Sequence, residues 1–549
     1  MQTKKQDKSF VVQAAILAAA GIIVRVIGLV YSIPLTAIIG DLGNGYYSSA
    51  YNIYSIILLI CSYSIPMAIS KLISAKNALG EYRTAHRVLQ CAFCYVIVVG
   101  GIASILTYVL APQIVDVEGA VLALQILAPA IFFSGILSVC RGFFQSQNTM
   151  VPTAISQLME QVINACVSVG AAWMLSRPYV GAADGTLLPM YGAAGGAVGT
   201  GAGVVASLIF MLVLYKRNRR NYVKKLERDE NPRTASYGEV IKMILLIVTP
   251  VILSTCIYNI STVVDMKVYY GSMEWKGIEG SEAASLYGIF SRKYMVLINV
   301  PVALASAMSS AVVPGISAAY EQGKRQSANA KITEALRVTM LVSIPAAVGM
   351  SILAKPIMDL LFPGSLPIAS NLLRVGGISI VFYGISTVTN GALQGIGMVT
   401  IPMKNAAAAL LIHLGLLIPL LYLTDSGLYA ILAATVLYSL VVCILNQRAL
   451  RKILNFKQRY GNLYLLPAVS AVIMGVFTWI GYEGTTRLLK PVFTSAGIRN
   501  LAGICVSVIL SVVVYFICIV KLGGYTEEML RKMPGGRLLA KTAKLLRLC

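Results

Sequence analysis

The sequence predicts an all-α polytopic membrane fold of about fourteen transmembrane helices. They form two six-helix lobes related by a pseudo-two-fold axis along the membrane normal, followed by two extra C-terminal helices. Three observations carry this expectation. Only 12% of the 549 residues are charged and 57% are hydrophobic, whereas a soluble domain carries about 25% charged residues. Apolar runs long enough for a hydrocarbon core of roughly 30 Å recur from one end of the chain to the other. The Lys and Arg residues gather in every second connection between those runs.

Taken in order, the helices are expected near 11–39, 46–70, 88–111, 120–140, 152–176, 192–215, 240–270, 284–314, 336–354, 367–395, 401–423, 427–447, 463–481 and 498–520. The first run is too long, and too interrupted by Arg25, for a cleaved signal peptide, and reads as a retained helix. An even number of crossings puts both ends on one side. Starting the chain in the cytoplasm assigns about 34 of the 45 Lys and Arg to inside segments, about 7 to outside loops and about 4 to helices. The outside loops hold Asp41, Asp116, Glu118, Glu274, Glu279 and Glu282 instead.

The net charge of +23 is therefore a topology signal and not a nucleic-acid footprint. The basic run from Lys216 divides the chain into an N-lobe (1–215), a basic cytoplasmic linker (216–239), a C-lobe (240–447), helices thirteen and fourteen (448–520) and a basic cytoplasmic tail (521–549). In the tail, Leu538, Leu539, Leu545 and Leu546 share a face opposite Lys541, Lys544 and Arg547, a pattern for an interfacial helix as well as for a positively charged inside terminus.

The lobes are read from a repeat. Arg141 to Pro152 (RGFFQSQNTMVP) and Asn390 to Pro402 (NGALQGIGMVTIP) both run Gly, Gln three on, then Met and Pro, and Gly142 and Gly391 lie 249 positions apart. Pro66, followed by Ile69-Ser70, recurs as Pro314, followed by Ile316-Ser317, with the prolines 248 apart. Six intervening helices leave both copies in the same orientation.

Six charges fall inside expected helices: Arg25, Glu160, Asp265, Arg292, Lys293 and Arg374. Each costs on the order of 2.5–3.5 kcal/mol at the bilayer centre, so they must face a cavity or one another. Four are basic, which suits an anionic cargo. Arg suits phosphate because its planar fork meets two oxygens at once. The plainer reading pairs Asp265 with Arg292 or Arg374. A second constellation joins Asp265 to Asn390 and Gln394, which share a helix face, with Pro250 breaking helix seven nearby. It would hold Na⁺ or a proton, or serve as interhelical polar glue.

Other signals are discounted. Gly201, Gly203 and Ala206 spell a dinucleotide fingerprint without a preceding strand. Gly195, Gly199 and Gly203 read instead as a close packing face. No P-loop occurs, so no cofactor is expected and energy must come from a Na⁺ or H⁺ gradient or the membrane potential. Two histidines and ten scattered cysteines imply neither a metal site nor a disulfide framework; His413 reads as a packed polar residue.

The segments RVIGLVYSIPL from Arg25, GNGYYSSAYNIYS from Gly43, RGFFQSQNTMVPTAISQLMEQ from Arg141 and GALQGIGMVTIP from Gly391 resemble the multidrug/oligosaccharidyl-lipid/polysaccharide flippase superfamily, in its branch of stage V sporulation protein B and lipid II flippases. The resemblance spans essentially the whole chain. It implies two six-helix lobes around a central cavity opening alternately to each face of the bacterial cytoplasmic membrane. It also implies an isoprenoid groove at helices thirteen and fourteen, and diphosphate contacts from Arg25 and Arg292. Tyr31 and Asn164 stand where such relatives often carry arginines. The implied activity is not enzymatic: it is translocation of an undecaprenyl-diphosphate-linked saccharide, with a lipid-linked anionic saccharide, membrane lipids and cell-wall synthesis proteins as partners. A cation-coupled multidrug antiporter of the same superfamily and a non-transporting scaffold for cell-wall or spore synthesis are the alternatives.

Overall fold

The computed structural model describes residues 2–63, 65–147, 149–227, 229, 234–456 and 460–523. The amphipathic stretch expected between Leu538 and Arg547 lies outside these residues. Among the described residues the chain is built of helices and their connections.

Helix α1 runs from Gln2 to Leu58, but Gly40 interrupts it at φ 69° and ψ −174°. Glycine takes that conformation without a Cβ penalty, and the break falls where the sequence predicts the turn between the first two spans. A π-helical turn, Leu59–Tyr63, then leads towards α2 (Ile65–Ala78). The apolar stretch Ala19–Ala78 is 60 residues long, roughly 90 Å at helical rise and about three times the hydrocarbon thickness. Broken at Gly40, it is long enough for two spans.

Next come α3 (Tyr82–Ile114), α4 (Val121–Ser146), α5 (Val151–Ser176), α6 (Leu187–Glu227), α7 (Tyr237–Trp275) and α8 (Gly280–Gly288). After a second π turn, Ile289–Tyr294, follow α9 (Met295–Glu321), α10 (Arg325–Ile352), α11 (Ala354–Leu361), α12 (Pro367–Gly376) and α13 (Ser379–Gly395). The last four are α14 (Thr400–Leu423), α15 (Leu428–Leu454), α16 (Leu466–Leu488) and α17 (Ala496–Lys521).

Among the described residues, eleven stretches are long and apolar enough to cross a membrane, or twelve if α12 and α13, bent by 48°, are one span. The first stretch holds two of the fourteen expected spans, the bent pair is the tenth and α7 is the seventh. Helix α7 runs from Tyr237 to Trp275; the break expected at Pro250 falls on a residue outside those whose side chains are described. The chain is an all-α, multi-pass membrane protein.

By packing, the chain divides into Met1–Arg292 with Ile418–Leu428, and Lys293–Leu417 with Tyr429–Cys549. The division falls inside the second π turn and not at the basic segment 216–239, because α7 packs on α1, α2 and α3. Asp229 accepts from Arg83 N at 2.6 Å at the start of α3, Arg87 Nη1 donates to Ala235 O at 2.6 Å, and the Arg87 guanidinium lies 5.0 Å from the Tyr237 ring. A Ser236–Glu239 capping box then starts α7.

In the first unit, α6 lies on α5 through the expected glycine face: Gly195, Gly199 and Gly203 meet Ala172, Ser168 and Glu160 O. Helices α1 and α8 approach through Gly45 and Gly288, where the nearest atoms are the backbones of Ala284 and Asp41. The second unit buries Leu336, Met340, Leu393, Leu450 and Met474. His413 is buried, its Nδ1 2.8 Å from Ala434 O. The repeated motif makes the same kind of contact in each unit. Gly142 lets α4 approach α2 at Pro66 and Ile69, and Gly391 lets α13 approach α9 at Ser309 and Val313.

Candidate functional site

The intramembrane charges separate by unit. In the first, Arg292 sits in the π turn Ile289–Tyr294, a local register change of the kind frequent at functional sites. Its guanidinium lies 4.9 Å from the Tyr47 ring centroid and 5.9 Å from that of Tyr31. The Tyr47 hydroxyl is 3.0 Å from Thr200 Oγ1, which fixes the ring. Arg292 Nε and Nη2 are buried and have no hydrogen-bond partner among the described residues. The rings lie beside the guanidinium carbon and leave two adjacent N–H donors, Nε and Nη2, for an acceptor pair. A buried, unsatisfied charged donor is costly without a counterion, and a phosphate meets that edge bidentately.

A cavity of about 380 Å³ lies in the same unit, lined by Asn52, Ser55, Leu58, Leu59, Ser62, Ser134, Leu137, Ser138, Arg141, Glu160, Asn259 and Thr262. Helix α4 continues to Ser146, so Arg141 lies within a helix and not in the inside loop where the sequence puts it. Arg141 Nη2 donates to Glu160 Oε2 at 2.6 Å and Nε to Ser156 Oγ at 2.9 Å. Glu160, expected near substrate, is thus the counterion of an arginine that hydropathy missed. The signal was the Arg heading RGFFQSQ, one position past the apolar run. Replacing Glu160 with Ala is expected to lower stability by about 1.5–3 kcal/mol, the worth of a hydrogen bond to a charged group. Thermal unfolding in detergent checks this, and the double variant Arg141→Met/Glu160→Met should recover part of the loss because no lone charge remains.

The other expected residues fall as follows. Arg25 is exposed on α1, one turn before Gly28, whose face meets Gln161. Asp265 is 8% exposed in α7, within electrostatic reach of the Tyr287 phenol. That phenol accepts from Asn52 Nδ2 at 2.9 Å. In the second unit Lys293 is buried, donates to Ser365 Oγ at 2.6 Å and lies 5.7 Å from the Phe362 ring. It is thus engaged within its own unit, although it adjoins Arg292 in sequence. Arg374 is exposed in the last turn of α12, where a cation complements the helix C-terminus. Gln394 Nε2 donates to Asn390 Oδ1 at 3.3 Å, as the shared face requires. Between α5 and α6, Thr186 donates from N at 2.9 Å and Oγ1 at 2.6 Å to Asp184, and these bonds hold its carboxyl below the ordinary carboxylate range.

Comparison with known proteins places this arrangement. The family model described as polysaccharide biosynthesis protein matches residues 10–320, and the MatE model matches 250–418. The lipid II flippase MurJ of Bacillus subtilis (strain 168) is 24% identical over 547 residues, covering 95% of this chain and 96% of that protein. Stage V sporulation protein B of the same organism is 24% identical over 541 residues, covering 97% and 99%. Among solved structures, lipid II flippase MurJ in an inward closed conformation superposes with a TM-score of 0.64 at 16% identity, covering 92% of this chain and 99% of that one. The chain belongs to the polysaccharide biosynthesis protein family.

Proposed function

We propose that this protein is a flippase carrying an undecaprenyl-diphosphate-linked saccharide, a lipid II-like or polysaccharide precursor, from the inner to the outer leaflet by alternating access. One observation carries the reading: a half-buried arginine, Arg292, whose guanidinium lies 4.9 Å from the Tyr47 ring and whose two buried N–H donors are unpaired among the described residues. Such an edge calls for an anion with two oxygens. The relatives, a lipid II flippase among them, support the same cargo class. Arg25 is the second proposed phosphate contact, and both termini are proposed to be cytoplasmic, as the positive-inside rule requires. Outward movement of each negative charge is favoured by about 2.3 kcal/mol per 100 mV of inside-negative potential.

For a coupling Na⁺ or proton, Asp265 in the first unit is one candidate group and the Asn390–Gln394 pair in the second is another, each taken by itself. Asp265→Asn is expected to abolish the response of flipping to an imposed Na⁺ or pH gradient. A flipping assay in reconstituted vesicles, reading exposure of a labelled undecaprenyl-diphosphate sugar, tests the proposal. Acceleration by the wild type supports it, whereas no acceleration leaves a scaffold. The MatE match over 250–418 favours a second reading, cation-coupled drug export, which efflux of a cationic dye from the same vesicles would reveal.

A further inference from the structure

We infer that the turn joining α15 to α16 in the second unit binds one anionic phospholipid, with its phosphate on Arg448 and Arg451 and an acyl chain along α16. This inference is independent of the flippase reading. Between Asp425 and Glu483 the chain has no acidic residue, yet Arg448, Arg451, Lys452, Lys457 and Arg459 gather in one short stretch. Spacings of three and four residues set Arg448, Arg451 and Lys452 on one face of α15. All three are exposed, and among the described residues none forms an ion pair. Like charges at these spacings destabilise a helix. The negative end of the helix dipole offsets this for Arg451 and Lys452 in the last turn, but its effect fades before Arg448. An external anion completes the balance.

The turn is built to hold one of these cations in place. Helix α15 ends at Leu454, whose carbonyl accepts from Asn329 Nδ2 at 3.1 Å, and Asn455 turns the chain at φ 54°, a left-handed conformation that asparagine tolerates. Buried Phe456 and Leu463 pin the return. Two tyrosines then meet α15 one turn apart: Arg451 Nη2 donates to the Tyr460 hydroxyl at 2.8 Å, and Gln447 Nε2 donates to that of Tyr464 at 3.3 Å. Their rings lie 5.9 Å apart. The bond to Tyr460 uses one donor of the Arg451 guanidinium and leaves the rest of its fork for phosphate oxygens.

Away from the cations the surface becomes apolar. Ile444 is exposed one turn before Arg448, and Leu465, Val469 and Val472 form an exposed stripe at helical spacing, the first and last 62% exposed. Cations, then amphipathic tyrosines, then an apolar stripe reproduce the order of phosphate, glycerol and acyl chain in a phospholipid. A soluble anion would leave the stripe unused, and a neutral lipid would leave the cations unused. The site takes no residue from α17, so it is distinct from the isoprenoid groove expected at helices thirteen and fourteen.

Native mass spectrometry of the purified full-length protein in detergent, offered equimolar phosphatidylglycerol and phosphatidylcholine, tests the site. The wild type is expected to retain one phosphatidylglycerol in preference to phosphatidylcholine. Each cation near an anionic headgroup is worth about fivefold, so Arg448→Gln/Arg451→Gln should cut that retention by roughly 25-fold. Tyr460→Phe keeps every charge and releases only the Arg451 side chain, so a smaller loss is expected from it as a positioning residue. Thermal unfolding confirms that each variant folds. Lys452→Gln, at an exposed helix end, should lose about fivefold and serves if the double variant does not fold. Lys71→Gln/Lys242→Gln, which removes two exposed cations of the first unit, is the control and should retain the lipid. Equal retention of both lipids by the wild type, an equal loss in the two double variants, or full retention in folded Arg448→Gln/Arg451→Gln overturns the site. Displacement of phosphatidylglycerol by millimolar inorganic phosphate would reveal a site for a soluble anion and overturn the lipid reading as well.

Discussion

Arg292→Ala is expected to reduce flipping of a diphosphate-linked sugar by roughly 30-fold or more, since truncating one partner of a buried, hydrogen-bonded charge pair costs about 2–5 kcal/mol and each 1.4 kcal/mol is tenfold. Arg292→Lys should recover little. An ammonium keeps the charge but loses both the planar face that Tyr47 and Tyr31 support and the paired donors along its edge. Tyr47→Leu separates the two contributions: it leaves the charge and removes the platform, so a smaller loss is expected from it as a positioning residue. Initial flipping rates of the three variants, normalised to reconstituted protein, check the order. Equal rates for Arg292→Lys and wild type would mean that a point charge suffices and that the fork has no role.

The second large effect is structural. Gly45→Val is expected to prevent accumulation of folded protein, because a side chain at this crossing would collide with the backbone of Ala284, which cannot rotate away. Gly288→Val meets the backbone of Asp41 and Gly45 from the other helix and should behave alike. Overpacking where a side chain can shift costs about 1–3 kcal/mol; here α1 and α8 themselves must separate. Gly170→Val, where a Cβ meets nothing within 4 Å, is the control. Fluorescence-detected size exclusion of the three variants gives the comparison, with only Gly170→Val expected to keep a monodisperse peak.

What the sequence reveals here follows from the range of each interaction. Spans are legible because lipid demands apolar length and internal hydrogen bonding, and the Gly195, Gly199, Gly203 face is legible because close helix contact needs small residues at one spacing. The repeat likewise foretells contacts: Gly142 and Gly391 each sit where a later helix crosses an earlier one. Side-chain partnerships are harder to see. Arg141 lies one residue beyond an apolar run, so a hydropathy boundary assigns it to water while α4 carries it on as a helix to meet Glu160. The π turns leave no mark in periodicity. Arg292 and Lys293 are adjacent in sequence, yet the first lies against Tyr47 and the second against Ser365. Nor does composition show that Arg374 is exposed at a helix end while Asp265 is buried.

The most direct measurement is native mass spectrometry of the purified protein with equimolar undecaprenyl diphosphate and undecaprenol. The proposed anionic-lipid site predicts a bound diphosphate species in the wild type that disappears in Arg292→Ala, with undecaprenol binding weakly to both. Equal retention of the uncharged lipid, or displacement of the diphosphate by a cationic drug at the same site, would contradict it.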